Sequence, residues 1–132
     1  MIKIILPLYV YTTKAKTTKS KFILNLNVYS NCHFRKKSTA KRLYSEIVAK
    51  KAPENTLKPP YELIFTYYHG SRHKVDISNP LAIIDKFACD GLTECGFWID
   101  DNSDIIKKVT YIWGGIDRNR GRAELVIKEF TK

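Results

Sequence analysis

Residues 79–101, NPLAIIDKFACDGLTECGFWIDD, decide the fold. At about 100° per residue, Leu81, Ile84, Phe87, Ala88, Gly91, Leu92 and Cys95 fall on one arc, and Asp85, Lys86 and Asp90 fall on the other. The spacing predicts an amphipathic helix over residues 79–95 with one face to bury. Gly91 weakens such a helix but lets a neighbour approach closely, and Gly96 is a C-terminal stop. A helix with one apolar face needs a second layer. The flanking segments supply it: residues 61–68 alternate like a strand after LKPP, and residues 107–113 and 122–130 read as an antiparallel hairpin joined by the basic loop GGIDRNRG.

Further out, Ala40, Leu43, Ile47 and Val48 recur at helical spacing, so residues 38–51 read as another helix, capped by Ser38 or Thr39 and ended by Pro53. Phe22, Leu24, Leu26 and Val28 alternate with Ile23, Asn25, Asn27 and Tyr29, the period-2 pattern of a half-buried strand or extended segment over residues 22–29. A shorter strand over residues 2–10 contains Pro7, which calls for a sheet edge or an early break. The expectation is an α+β fold: a small mixed β-sheet of about four or five strands with two main helices, in a single domain over residues 1–132.

Composition narrows the function. The net charge is +10, unevenly spread: 15 Lys and Arg against three acids up to residue 75, eight against ten beyond it. Basic surface of that extent attracts a phosphate backbone by releasing counterions. No stretch approaches the roughly 18 apolar residues that span a bilayer, and no cleavable leader is visible in MIKIILPLYVY. Cys32, Cys89 and Cys95 form no CxxC pair and lack zinc spacing with the histidines, which fits a reduced cytoplasmic compartment. His69 and His73 are four apart, yet Gly70 and Ser71 between them make a turn, so a solvated or phosphate-contacting loop is favoured over zinc.

Against this basic background, Asp76, Asp85, Asp90, Asp100, Asp101 and Asp104 fall within 29 residues. Converging carboxylates repel phosphate unless divalent cations sit between them, so a basic chain with an acidic island suggests a metal-dependent nuclease. Each acid also has an ordinary role open to it: Asp76 as a helix cap, Asp85 and Asp90 as a solvated helix face, the DDNSD turn as Asx hydrogen bonding. Phe97 and Trp98 read as core anchors more readily than as base-stacking platforms.

KVDISN, DKFACDGLTECGFWIDDN and GGIDRNRGRAELVI together resemble the RusA family of Holliday-junction resolvases, and ILPLYV resembles that family's first strand. Lys86, Asp90, Leu92, Gly96, Phe97, Trp98, Asp100 and Asp101 stand in the family's order and spacing. Where the family carries Asp-x-Asp-Asn, this chain has Asp76, Ile77, Ser78 and Asn79. The stretch from there to Lys86 is longer by roughly one helical turn, which resembles the phage-borne branch, in which an acid directly precedes the lysine as Asp85 does here.

The resemblance implies a homodimeric endonuclease that nicks opposing strands of four-way or branched DNA with Mg²⁺, or Mn²⁺, in the cytoplasm of a bacterial host if phage-encoded. It needs no nucleotide cofactor and no membrane. Asp76, Asp85 and Asp101 are implied to hold the metal, with Asp100 and Asp90 as supporting or alternate ligands, and Lys86 to face the scissile phosphate. Lys14, Lys16, Lys19, Arg35, Lys36, Lys37, Arg72, Lys74, Arg118, Arg120 and Arg122 are expected phosphate contacts. The alternative is a junction-binding protein whose site is disabled at Ser78. A basic RNA-binding protein is disfavoured, because it leaves the acidic island unexplained.

Overall fold

A computed structural model describes residues 1–12 and 20–132. Lys14, Lys16 and Lys19 therefore lie outside the described residues. The chain runs β1 (Ile2–Leu6), β2 (Tyr9–Tyr11), β3 (Lys21–Ile23), α1 (Leu26–Asn31), α2 (Phe34–Lys51), β4 (Tyr61–His69), α3 (Ser78–Glu94), β5 (Ile106–Ile116) and β6 (Arg122–Glu129). A four-stranded mixed sheet, in the order β1-β6-β4-β5, carries the helices on one face, and β2 and β3 form a separate two-stranded ribbon. The fold is α+β, as the alternation of patterns predicts.

Pro7 divides the first apolar run into β1 and β2, and β1 takes the sheet edge, where a residue without an N–H does least harm. Every second residue of β4, from Tyr61 to Tyr67, is buried beneath the helices, as are Ala123, Leu125 and Ile127 of β6 and Ile2, Ile4 and Leu6 of β1. The opposite face is held by charge: Lys3 pairs with Glu124 at 3.0 Å, Arg122 with Glu124 at 2.8 Å, and Lys108 and Lys128 both approach Glu62 at 3.7 Å.

Phe87 of α3 is the joint between helices and ribbon. Its ring lies 6.2 Å from Phe22 of β3, 6.1 Å from Tyr29 of α1 and 6.0 Å from Tyr44 of α2, centre to centre. One turn on, a Cβ at Gly91 would stand 3.2 Å from the Ser45 Cα, so the missing side chain sets how closely α2 and α3 approach. Gly96 ends the second of these helices at φ +78°, in the left-handed region that glycine alone enters freely.

Four expectations give way. Residues 22–29 are a strand only as far as Ile23; Asn25 then accepts a hydrogen bond from the Val28 N–H at 2.8 Å and starts α1. The helix expected over 38–51 begins four residues earlier, because His33 Nδ1 accepts from the Arg35 N–H at 3.1 Å and caps it. The expected hairpin does not exist: β4 lies between the two strands, parallel to β5 and antiparallel to β6. Cys95, expected on the buried arc, is exposed.

Candidate active-site groove

The parallel pairing of β4 with β5, with α3 as the crossover between them, brings the polar face of α3 over the outer strand. Asp85, Lys86 and Asp90, three of the residues the helical spacing put on one arc, meet Asp101 from the turn beyond Gly96. Leu63, Ile106 and Val109 form the floor of the resulting groove, and Ala82 and Cys89 complete its wall, enclosing about 320 Å³.

Each carboxylate is held differently. Asp85 accepts the Tyr111 O–H at 2.7 Å and the Cys89 S–H at 3.2 Å, so a residue of β5 and one a helical turn away fix its plane. Asp90 pairs with Lys41 of α2 at 2.8 Å, and the hydrogen bond to that carboxylate is the main cause holding the Lys41 ammonium above its usual range. Lys86, an ordinary ion-pair partner for Asp90 by its i,i+4 spacing, makes no ion pair among the described residues and is exposed at the groove wall. Asp100 lies just outside, accepting the Asp101 N–H at 2.8 Å and the Asn102 amide at 3.0 Å.

Negative charge accumulates here. Partial desolvation is the first cause raising the Asp101 carboxyl above its ordinary value, although the residue as a whole is exposed; its hydrogen bond with Asp100 and the charges of Asp90 and Asp100 act in the same direction. Burial raises the Cys89 thiol well above its usual range, followed by Asp85, Asp101 and Asp90. Burial, then the bond to Asp85, also raises Tyr111. Both groups therefore stay protonated and donate. Oxygen donors with mutually unfavourable charge suit a hard divalent cation in kind. Yet among the described residues no three His, Cys, Asp or Glu side chains are already set to hold an ion.

Asp76 is not in this groove. Its Oδ1 accepts the Ser78 N–H at 3.2 Å and the Ser78 hydroxyl at 2.8 Å, a turn contact one residue ahead of the helix N-cap, which is Ile77 and carries no side-chain capping bond. It lines a second, larger cleft of about 730 Å³ at the N-terminal end of α3, with Tyr9, Lys21, Ile23, Tyr67, His69, Lys74, Asn119 and Arg120. His69 bridges Tyr67 and Ser71 through its two ring nitrogens, each at 3.1 Å, rather than pairing with His73. Phe97 and Trp98 are buried, the indole N–H donating to Thr93 at 2.8 Å, so they anchor the turn.

The expected phosphate contacts separate into free and engaged cations. Arg35, Arg72, Lys74, Arg118 and Arg120 are exposed, with no ion pair among the described residues. Arg122 is taken by Asp117 and Glu124, each at 2.8 Å, and lies over the Tyr68 ring. Lys36 donates to Ser20 at 2.8 Å, and Lys37 sits 4.1 Å from the centre of the Tyr29 ring. Tyr111, Cys89 and Lys41 escaped the sequence reading. Only Cys89, one turn from Asp85, left a signal there. Among the described residues no helix is long and apolar enough to cross a membrane. The chain matches no protein-family model and no curated protein.

Proposed function

We propose that this protein is a Mg²⁺-dependent endonuclease of the RusA type, cutting four-way or branched DNA in the cytoplasm. The observation that carries the reading is the convergence of Asp85, Asp90 and Asp101, with a Lys86 that has no ion pair among the described residues, in one groove of a chain whose net charge is +10. Asp85 and Asp101 would hold the metal, Asp90 and Asp100 supporting them; Asp76, which lines the other cleft and bonds Ser78, is left out. Bound there, the cation would make water nucleophilic near neutral pH and offset charge on the phosphate. Tyr111 and Cys89 keep the Asp85 carboxylate turned into the groove, and Lys41 balances Asp90. Lys86 is free to meet the phosphate that enters.

Paired nicks on a symmetric junction require two such grooves, and one chain has a single one, so the working unit is a homodimer. The outer edge of β5 supports this: it has no strand partner among the described residues and exposes Val109, Ile112, Trp113 and Ile116. Incubating a synthetic four-way junction with the protein, with and without Mg²⁺, is the deciding experiment. Metal-dependent paired nicks are expected, with light scattering near twice 15.3 kDa. A monomer that leaves the junction intact at saturating protein and Mg²⁺ defeats the reading. A second reading, binding to branched DNA without cutting, is favoured by one observation: among the described residues no three ligating side chains are pre-arranged. The same assay separates the two.

A further inference from the structure

The larger cleft at the N-terminal end of α3 has a character opposite to that of the groove. Lys21, Lys74 and Arg120 line it, and its one carboxylate, Asp76, is bonded to Ser78. Lys74 and Arg120 make no ion pair among the described residues, which is equally true of Arg35, Arg72 and Arg118, but these two line one concavity together. Unsatisfied cations in a concavity leave an anion as the missing partner.

The cleft is more than an anion site. Tyr9 is exposed at its wall, with the Lys21 ammonium 3.9 Å from the ring centre, and Ile23 and Leu8 add apolar surface beside it. Asn119 contributes a side-chain amide, donor and acceptor both. A volume of about 730 Å³ lies in the range of small-ligand sites. A flat ring, a polar edge and a phosphate are the parts of a nucleotide whose base is unpaired, since a duplex keeps its bases stacked inside.

Asn79 and Pro80 of α3 line the cleft, and Asp85 and Lys86 of the same helix line the groove. Six residues of helix rise about 9 Å, a distance two or three nucleotides of one strand can cover. We propose that the cleft receives an unpaired nucleotide, its phosphate between Lys74 and Arg120 and its base against Tyr9, on the strand that continues into the groove. The location of the cut depends on the nuclease reading; the cleft's affinity for a nucleotide does not.

Fluorescence anisotropy in EDTA, where nothing is cut, tests this with a labelled oligothymidylate and a labelled four-way junction. Lys74→Gln with Arg120→Gln is expected to flatten the slope of log affinity against log salt by about 1.4 for the single strand, about 0.7 for each cation removed. Tyr9→Ala is expected to weaken oligothymidylate binding about tenfold, leaving that slope unchanged. Lys50→Gln with Lys58→Gln removes equal charge outside the cleft and should change neither quantity. Thermal melts of the exposed Lys74 and Arg120 variants exclude misfolding.

Free thymidine monophosphate that displaces the strand extends the site to free nucleotides; failure to displace it restricts the site to strand-borne ones. Cleft variants indistinguishable from the Lys50 and Lys58 control overturn the proposal. If that happens while the wild type still cuts junctions, the cleft alone has failed. If the cleft variants lose strand binding but the wild type leaves junctions intact in Mg²⁺, the nuclease reading has failed and the cleft stands.

Discussion

Replacing Asp85 with Asn tests the groove at its best-held member. The wild-type carboxylate accepts from Tyr111 at 2.7 Å and from Cys89 at 3.2 Å. An amide of the same shape can accept from one and donate to the other, so the contacts persist without charge assistance, a loss of about 1–2 kcal/mol. Removing one negative charge beside Asp90 and Asp101 offsets part of that loss. For a chain of this length the melting temperature should fall by roughly 4–8 °C at most, well within the stability of an ordinary domain. Cleavage should fall far more, by 100-fold or beyond in order of magnitude, because a cation ligand is gone. The assay is single-turnover nicking of a four-way junction at saturating protein, with a melt on the same preparation. Wild-type nicking rates in a variant that melts as forecast would refute the assignment of Asp85. A melting temperature lowered by several times the forecast would instead make Asp85 a residue of the fold.

Asp101→Asn should abolish cleavage while preserving or tightening junction binding, since less negative charge then faces phosphate, whereas Asp76→Asn should nick nearly normally because an amide can still accept at the helix start; parallel binding and nicking assays compare them, and a dead Asp76→Asn would return that residue to the site. Phe87→Ala should cost about 3–5 kcal/mol in urea unfolding, its ring being fully buried against three others; a loss under about 1 kcal/mol would mean that the core collapses around the gap. Burial first, and the neighbouring His73 second, lower the His69 pKa, so the fold favours neutral imidazole. Stability should hold above the unfolded value of about 6.5, decline as pH falls through it, and level off below the depressed folded value. Urea midpoints taken from about pH 8 to about pH 5 should decline less in His69→Gln than in the wild type.

The sequence made the helical elements legible where burial is one-sided. Leu81, Ile84, Phe87 and Leu92 repeat at the period of a helix because they lie on its buried side, and the same periodicity put Asp85, Lys86 and Asp90 together. It failed where a local hydrogen bond outweighed the pattern: Leu24, Leu26 and Val28 alternate, yet Asn25 caps a helix in their midst. It failed again at pairing, because nothing local in β5 or β6 records that β4 enters between them. Tyr111 and Lys41 reach the groove across that pairing and across the packing of α2 on α3, so neither could be found from spacing. Asp76 lies outside the groove, in the cleft at the start of α3, and spacing alone does not say whether a carboxylate placed before a helix serves the turn or a metal.

The position of β6 bears on how the chain folds. Its Leu125 is paired on one side with Ile4 and on the other with Phe65, so the sheet's second strand in space is its last in synthesis. β1 has no other strand partner among the described residues, so its hydrogen-bonding edge stays open until β6 has been made. Closing so wide a loop is entropically slow, and until it closes the facing edges of β1 and β4 are open to the wrong partner. A nascent chain stalled before Arg122 would hold the aspartates and both clefts' helix, but no continuous sheet to set them against.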